Sequence, residues 1–325
     1  MTSPYDIEEI FPGDGVRLPR RQHGNSPQGL TVTLMADYTL STRAWLPSAA
    51  IVALLAEAGV SSTGARATIS RLARRGVLEV SKQGRTSSYR LTTAAAHNLA
   101  SGGRAIASAA TGTSTWDQRW TLIAFSLPQE EVTRRRELRG RLRWLGYAPL
   151  YDGLWISPHD LTDKLTALLA DLAFGAMTVF RARHVDFGAT IGREPLDAWD
   201  TAAIGRHYDA FIQRWNPLLR DIRGSRITGA EAVRTRTEVM DTYRRLPILD
   251  PGLPLDLLPP GWPRMAARDL FTAVYDGLAG PAEDHVRAVA GRFTTDPLTD
   301  LRAHTVADLS ARVLGTLDPA TGSGR

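Results

Sequence analysis

The chain has 325 residues, of which 43% are hydrophobic and 22% charged, and it carries a formal net charge of +5 with a sequence pI of about 9.8. Such a composition predicts a folded protein of about two or three domains, and its positive excess suits a polyanionic partner without proving one. Cysteine is absent, which excludes disulfides, thiolate metal sites and cysteine nucleophiles.

The N-terminal segment, residues 1–28, is rich in proline, glycine and polar residues and contains no apolar run typical of a secretory signal. We expect a mobile arm there. The longest apolar run of the chain, residues 49–60, is too short to span a bilayer and contains Glu57. These features predict a cytoplasmic protein without a membrane segment.

Residues 29–92 predict a winged helix-turn-helix. Pro47 opens one helix that Gly59 ends, and a serine at position 61 or 62 can cap a second helix that Gly76 stops. In the stretch LEVSKQGRTSSYRL the apolar period changes to two around a glycine, which is typical of a two-strand hairpin.

The second helix separates into two faces. Projection at 3.6 residues per turn places Ala65, Ile69 and Leu72 on a packing stripe, with arginine, hydroxyl and small side chains opposite. Across residues 63–91 seven basic residues accompany one acid, Glu79, so the local charge of +6 equals or exceeds that of the whole chain. Such a concentration of positive charge favours a DNA-binding surface over a merely solvated helix face, although winged helices also dock proteins. The residues expected to contact DNA are Thr63, Arg66, Ser70, Arg71, Arg74 and Arg75 on the helix and Lys82 and Arg85 at the hairpin tip.

A helical linker, residues 93–115, leads to a second α/β segment at 116–190. RWTLIAFSLP predicts a buried strand, RRRELRGRLRWLG a helix with Leu138, Leu142 and Leu145 inward, and GLWISP a further strand. LTDKLTALLADL predicts another helix and AMTVFRAR another strand. The order β-α-β-α-β indicates a small ferredoxin-like sandwich.

A mainly helical C-terminal domain is predicted at 191–317, followed by a frayed tail at 318–325, so that the fold class as a whole is α+β. Aromatic side chains recur here at helical spacing. Core or dimer packing is their commoner role, and an effector pocket is the alternative. The aromatic residues assigned to such a pocket are Trp199, Tyr208, Trp215 and Trp262.

Four stretches together resemble a known family: GARATISRLARRGVLE, WDQRWTLIAFSLP, LRGRLRWLGYAPLYDGLWISP and LDPGLPLDLLPPGWPRMAARDLF. They are similar to PaaX-type transcriptional repressors across most of residues 30–280. The resemblance implies a winged helix, a ferredoxin-like middle domain and a helical C-terminal domain. It also implies repression of a catabolic operon that an aryl- or acyl-coenzyme A thioester relieves. On this reading we expect a homodimer on an imperfect palindrome in double-stranded DNA.

An enzyme is the competing hypothesis, because the middle segment also resembles the small ferredoxin-like nucleases of CRISPR systems. In those nucleases the first strand ends in an aspartate that binds a catalytic metal, whereas Ser126 occupies that place here. A neutral hydroxyl is a poor Mg²⁺ ligand. The pairs His159–Asp160 and His184–Asp186 lie near predicted element ends and form no metal signature. We therefore predict no enzyme activity, no catalytic residue, no metal and no cofactor, and keep a metal-dependent nuclease or a protein-docking module as alternatives.

A second basic cluster, RRRELRGRLRW at 134–144, has two interpretations. Its arginines can contact phosphates of DNA or coenzyme A, or they can form a solvated helix face. We favour the solvated face, because Glu130, Glu131 and Glu137 lie within helical pairing distance of the arginines.

Overall fold

The computed structural model describes residues 26–108, 116–128, 130–160, 177–186 and 193–310. The α-helices in these residues are, in chain order, α1 (Pro27–Thr39), α2 (Ser48–Glu57), α3 (Ser62–Arg74), α4 (Thr93–Ser108), α5 (Val132–Trp144), α6 (Thr201–Trp215), α7 (Leu219–Arg223), α8 (Gly229–Tyr243), α9 (Leu246–Leu249), α10 (Arg264–Gly277), α11 (Ala279–Ala290) and α12 (Val306–Ser310). The strands are β1 (Leu46–Pro47), β2 (Leu78–Gln83), β3 (Thr86–Leu91), β4 (Trp120–Phe125), β5 (Ala148–Tyr151), β6 (Leu154–Ser157) and β7 (Met177–Ala182). Helices and two antiparallel sheets make an α+β protein.

The chain divides into two compact units. The described part of the sheet unit comprises residues 116–128, 130–160, 177–186, 193–211 and 245–267, and that of the N-terminal unit comprises 26–108, 212–244 and 268–310. The helices between residues 193 and 310 are divided between the two units, and the domain boundaries drawn from the sequence stay a prediction. Helical periodicity alone assigns no helix to a packing partner.

The N-terminal unit starts with three helices and a small sheet in the order β1-β3-β2. Helix α1 begins at Pro27, inside the predicted arm, because Ser26 accepts a hydrogen bond from the Gly29 amide and caps it. Residues 1–25 of that arm lie outside the described residues. Strand β1 was not predicted, since two residues are too few to display a period.

Helix α3 confirms the predicted caps and packing stripe. The Ser61 hydroxyl accepts a hydrogen bond from the Gly64 amide, and Gly76 adopts a positive φ of 71° just after the helix. Ala65, Ile69 and Leu72 are buried as expected. Thr68 is buried as well, although the projection did not place it on the stripe.

Helix α4 lies in the segment predicted as a helical linker, residues 93–115. It belongs to the N-terminal unit, where it packs against α12. A Cβ built on Gly103 would lie only 3.0 Å from the Leu309 side chain, so the absence of a side chain permits this close approach. Residues 109–115 lie outside the described part of the chain.

A buried polar cluster joins α1 to the later helices of the same unit. The Arg236 guanidinium on α8 is fully buried and donates to the backbone oxygens of Tyr275 on α10 and of His304 before α12. The Tyr275 hydroxyl donates to the buried Asp37 on α1. Polar bonds as well as apolar packing therefore hold the first helix in place.

The sheet unit contains an antiparallel sheet in the order β5-β6-β4-β7. Helix α5 packs its predicted inward residues, Leu138, Leu142 and Leu145, into a core with Ile123 and Trp155. Strand β5 was not predicted, because APLY is short and adjoins a turn. The predicted helix LTDKLTALLADL lies outside the described residues.

Residues 193–211 and 245–267 complete the sheet unit. Asp250 there is buried and accepts two bonds from the Arg264 guanidinium, at 2.7 and 2.9 Å. The Tyr208 hydroxyl and the Gly252 amide, each at 2.9 Å, also donate to this carboxylate. None of the helices in the described residues is long and apolar enough to cross a membrane.

Candidate DNA-binding surface

The eight residues predicted to contact DNA are all exposed in the N-terminal unit. We call them the basic surface: Thr63, Arg66, Ser70, Arg71, Arg74 and Arg75 on or directly after α3, and Lys82 and Arg85 at the tip of the β2–β3 hairpin. The structure brings the first six together on the solvent side of a single helix, because the other side of α3 packs into the core.

The cations of the basic surface are free of carboxylates. None of the four arginines of α3 and its cap, nor Lys82 or Arg85, forms an ion pair with any residue in the described stretches of the chain. Six unpaired positive charges over about two dozen residues attract a polyanion by long-range electrostatics. Ala67, also exposed, adds a small side chain that permits close approach of a groove.

Arg90, the seventh basic residue of the segment, does not belong to this free set. Its Nε lies 2.6 Å from Oε1 of Glu79, and its Cζ lies 4.4 Å from the centre of the Trp45 ring. Six of the seven basic residues in 63–91 therefore remain without an ion pair to the described residues, which matches the local net charge of +6. The register of the hairpin places Glu79 directly opposite Arg90. Pairing the two strands across the turn in the sequence would have predicted this contact.

Arg43 is a contributor to this region that sequence reasoning missed. It follows α1, adopts a positive φ of 50°, and its Nε donates to the Leu91 backbone oxygen at 3.0 Å. Its Nη2 forms an ion pair with Oε1 of Glu79, the same oxygen that meets Arg90. Because 36 residues separate Arg43 from Glu79, no local pattern signals the contact.

Most arginines of the second basic cluster, on α5, have partners within the protein. Arg134 pairs with Glu131 at 3.4 Å and Arg141 with Glu137 at 2.6 Å, which confirms the predicted helical pairing. Other members also have partners: Arg139 meets Asp152 at 3.0 Å, Arg135 donates to the Leu127 oxygen, and Arg143 lies over the Trp155 ring. Burial, with Arg139 nearby, lowers the pKa of Arg143. Such pairing leaves this helix less charge for phosphates than the basic surface has.

The four aromatic residues assigned to an effector pocket are divided between the two units. Tyr208 and Trp262 meet edge to face, with ring centres 6.3 Å apart, in the sheet unit. Trp199, in the same unit, stacks on Trp120 at 6.1 Å. Trp215 belongs to the N-terminal unit, where its Nε1 donates to the Thr242 hydroxyl at 3.0 Å. Of the four, Tyr208 and Trp262 are in direct ring contact.

The residues considered for metal chemistry are dispersed. Ser126 follows β4 as predicted. His159 is half-buried and its Nε2 lies 3.2 Å from the Pro251 backbone oxygen, whereas Nδ1 of His184 lies 3.8 Å from Glu194. Within the described ranges, no group of three or more histidine, aspartate or glutamate side chains is arranged to hold a metal ion.

Comparison with known proteins gives matches along most of the chain. Three family descriptions match in succession: "PaaX-like protein" at residues 26–95, "PaaX protein central Cas2-like domain" at 113–191 and "PaaX-like protein C-terminal domain" at 199–288. The Transcriptional repressor PaaX of Escherichia coli (strain K12) is 26% identical over 243 residues, which cover 73% of this chain and 75% of that protein.

A solved structure shares the fold. The Uncharacterized protein Rv0674 from Mycobacterium tuberculosis superposes with a TM-score of 0.50 and 22% identity, over 82% of this chain and 97% of its own. The three family matches, together about three quarters of the sequence, follow one another in the order of the parts of a single family. The chain therefore belongs to the PaaX-like family.

Proposed function

We propose that this chain is a DNA-binding transcriptional repressor. The observation that carries the proposal is the basic surface, with six cations that no described carboxylate neutralises. The name of the Escherichia coli relative, a transcriptional repressor, supports the same role. Among the sequence-based alternatives, a protein-docking module would need a strongly acidic partner surface to match this concentration of free positive charge.

The local architecture supports a winged-helix interpretation of residues 29–92. Helices α2 and α3 are separated by a short turn, and the β2–β3 hairpin follows α3 directly. In the sheet unit, the antiparallel order β5-β6-β4-β7 and the helix between β4 and β5 support a ferredoxin-like arrangement.

In the proposed complex α3 enters the major groove and the hairpin tip meets the flanking backbone. Arg71 and Arg74 are exposed on α3, and an arginine guanidinium can donate two bonds to a guanine edge. Thr63, Ser70 and Arg66 reach base edges or phosphates on the same face. Arg75, at the end of the helix, contacts phosphate, as do Lys82 and Arg85.

Repression is proposed to be mediated by a homodimer that binds an imperfect palindrome, with an aryl- or acyl-coenzyme A thioester as the effector. The effector must bind the form released from DNA better than the DNA-bound form, because equal affinity would shift nothing. Of the aromatic candidates, the contacting pair Tyr208 and Trp262 is retained as an effector contact, and Trp199 and Trp215 are not needed for it.

Selection from a random duplex library tests DNA recognition. The purified chain should enrich an inverted repeat, and its affinity for the selected duplex should fall steeply as salt rises. The double variant Arg71→Ala, Arg74→Ala, which leaves the packing stripe intact, should enrich no sequence. Absence of enrichment by the unaltered chain, with affinity independent of salt, would overturn the proposal in favour of a docking role.

The same selected duplex allows two further checks. Incubation with Mg²⁺ or Mn²⁺ should leave the duplex uncut, and cleavage that copurifies with the chain would revive the nuclease alternative. Addition of phenylacetyl-coenzyme A or other acyl-coenzyme A thioesters, one at a time, should release the duplex and raise the melting temperature of the free protein. Release by none of the thioesters would contradict the effector proposed here.

A further inference from the structure

We propose that Glu79 is a positioning residue for DNA binding: it holds the β2–β3 hairpin so that Lys82 and Arg85 meet the DNA backbone while α3 occupies the groove. This inference rests on the proposed function. Glu79 itself contacts no DNA in the proposal. It acts through Arg43 and Arg90.

The geometry around Glu79 is that of a clamp with one acceptor and two donors. Both guanidiniums contact the same oxygen, Oε1 of Glu79. The Nε of Arg90 lies 2.6 Å from it, and Nη2 of Arg43 forms the second ion pair. The side chain of Arg43 is only 13% exposed, whereas those of Arg90 and Glu79 are 32% and 37% exposed. Pairs that are partly shielded from water and bonded to charged groups are stronger than fully exposed pairs.

The clamp joins three segments of the chain. Arg43 follows α1 and also donates to the Leu91 backbone oxygen, so it is anchored at the base of the hairpin. Glu79 lies on β2 and Arg90 directly opposite on β3. Trp45, next to the edge strand β1, supports the Arg90 guanidinium at 4.4 Å. A row of side chains thus crosses the sheet on one face.

The position of this row explains how it affects the hairpin. Leu78 and Leu91 are buried and fix the base of the hairpin from the core side. Towards the tip the same face becomes exposed, as Val80 is 44% exposed and Lys82 is exposed as well. The Glu79 row braces the opposite face. Glu79 and Arg90 form the next cross-strand pair after Leu78 and Leu91, so the row attaches the hairpin to the rest of the unit on a second face.

The charge of Glu79 is unfavourable for DNA binding in itself. It is the sole acid among residues 63–91, and a carboxylate in a phosphate-binding segment repels the ligand. Its removal by Glu79→Gln raises the local charge from +6 to +7. A purely electrostatic role therefore predicts tighter binding to every duplex, whereas a positioning role predicts weaker binding to the selected duplex. The two explanations therefore predict opposite changes in affinity for the selected duplex.

A double-mutant cycle separates positioning from charge and from general destabilisation. The probes are the duplex selected by the unaltered chain and a duplex of scrambled sequence. Glu79→Gln should weaken binding to the selected duplex about fivefold or more, because the hairpin tip no longer meets the backbone while α3 occupies the groove. On the scrambled duplex α3 is not held in one register, so Lys82 and Arg85 can still reach phosphates, and the added positive charge should leave that binding unchanged or tighter. The loss caused by Arg85→Ala should shrink in the Glu79→Gln background, while the loss caused by Arg71→Ala stays the same within about twofold.

Two further measurements keep the result decisive. Arg43→Lys preserves the net charge but removes the paired contacts of Arg43 with Glu79 and with the Leu91 oxygen. In this background too, Arg85→Ala should cause a smaller loss of affinity than in the unaltered chain. The variant therefore tests the inference even if Glu79→Gln fails to fold. Amide hydrogen exchange in Glu79→Gln should become faster in residues 78–91 and stay unchanged in α3. Tighter binding to both duplexes, or an Arg85→Ala loss that is equal in all backgrounds, would overturn the inference. If the unaltered chain selects no duplex, the proposed function fails first and the inference fails with it.

Discussion

The hydroxyl of Tyr275 donates a 2.7 Å hydrogen bond to Oδ1 of Asp37, although 238 residues separate the two in the chain. Asp37 lies on α1, the first helix of the segment proposed to bind DNA, and Tyr275 lies on α10. Both side chains are buried, and burial raises the pKa of each group. The neutral, buried hydroxyl of Tyr275 thus attaches α10 to α1 through Asp37.

Tyr275→Phe should lower the free energy of unfolding by about 1–3 kcal/mol, because a buried acceptor on Asp37 loses its donor. Urea unfolding followed by circular dichroism measures the change. Tyr38→Phe is the matched control: Tyr38 is also buried and lies next to Asp37 on α1, but its hydroxyl does not donate to Asp37. That substitution should cost clearly less than Tyr275→Phe. Equal losses in the two variants would show that the bond contributes nothing specific.

Substitutions on the basic surface should separate base contacts from phosphate contacts. Arg71→Ala or Arg74→Ala should cost about 1–3 kcal/mol on the selected duplex and little on a scrambled one. Lys82→Ala or Arg85→Ala should weaken both duplexes alike and reduce the slope of log affinity against log salt by about 1 each. Fluorescence anisotropy over a salt series provides both quantities.

The control for the basic surface is Arg292→Ala, which removes an exposed arginine after α11, outside the basic surface. It should change neither affinity nor the salt slope beyond experimental error. If Arg292→Ala weakens binding as much as Arg71→Ala, net charge and not the face of α3 determines DNA affinity.

Asp250→Ala should destabilise the sheet unit strongly. It leaves the Arg264 guanidinium buried without its counter-charge and removes the acceptor of the Tyr208 hydroxyl. Breaking a buried pair from one side costs about 3–5 kcal/mol. Thermal unfolding should show a clearly lower transition, whereas Asp256→Ala, an exposed aspartate in the same segment, should stay within about 0.5 kcal/mol. Similar melting of both variants would contradict a structural role for the pair.

His159 should make stability depend on pH in the mildly acidic range. Burial lowers its pKa from the usual 6.5, although bonds to the backbone at Pro251 and Gly252 partly oppose this. The unfolded chain therefore binds the proton more tightly than the folded protein does, so the contribution of His159 is present above 6.5 and is lost as the pH falls below it. Urea unfolding between about pH 5 and pH 8 measures the slope.

His159→Gln, whose amide can still donate to the Pro251 oxygen, should flatten this part of the pH dependence. His207→Gln, on the exposed side of α6, is the control and should leave the slope as it is in the unaltered chain. A slope that His159→Gln does not change would place the sensitive group elsewhere.

Local patterns in the sequence predicted the elements that carry the proposed function. The two faces of α3, its Ser61 cap and its end at Gly76 all follow from helical periodicity and capping chemistry. The inward leucines of α5 and the pairing of Arg141 with Glu137 follow in the same way. These features depend on residues three or four positions apart, whose relative placement a helix imposes by itself.

Only the tertiary structure decided which groups share an environment. It assigned Arg90 to Glu79 and Trp45, brought Arg43 to the same carboxylate, and placed Tyr208 and Trp215, seven residues apart on α6, in different units. The sequence determined the faces and charges of individual elements because short-range backbone geometry repeats. It did not determine their partners, because contacts between residues tens to hundreds of positions apart depend on how whole elements pack.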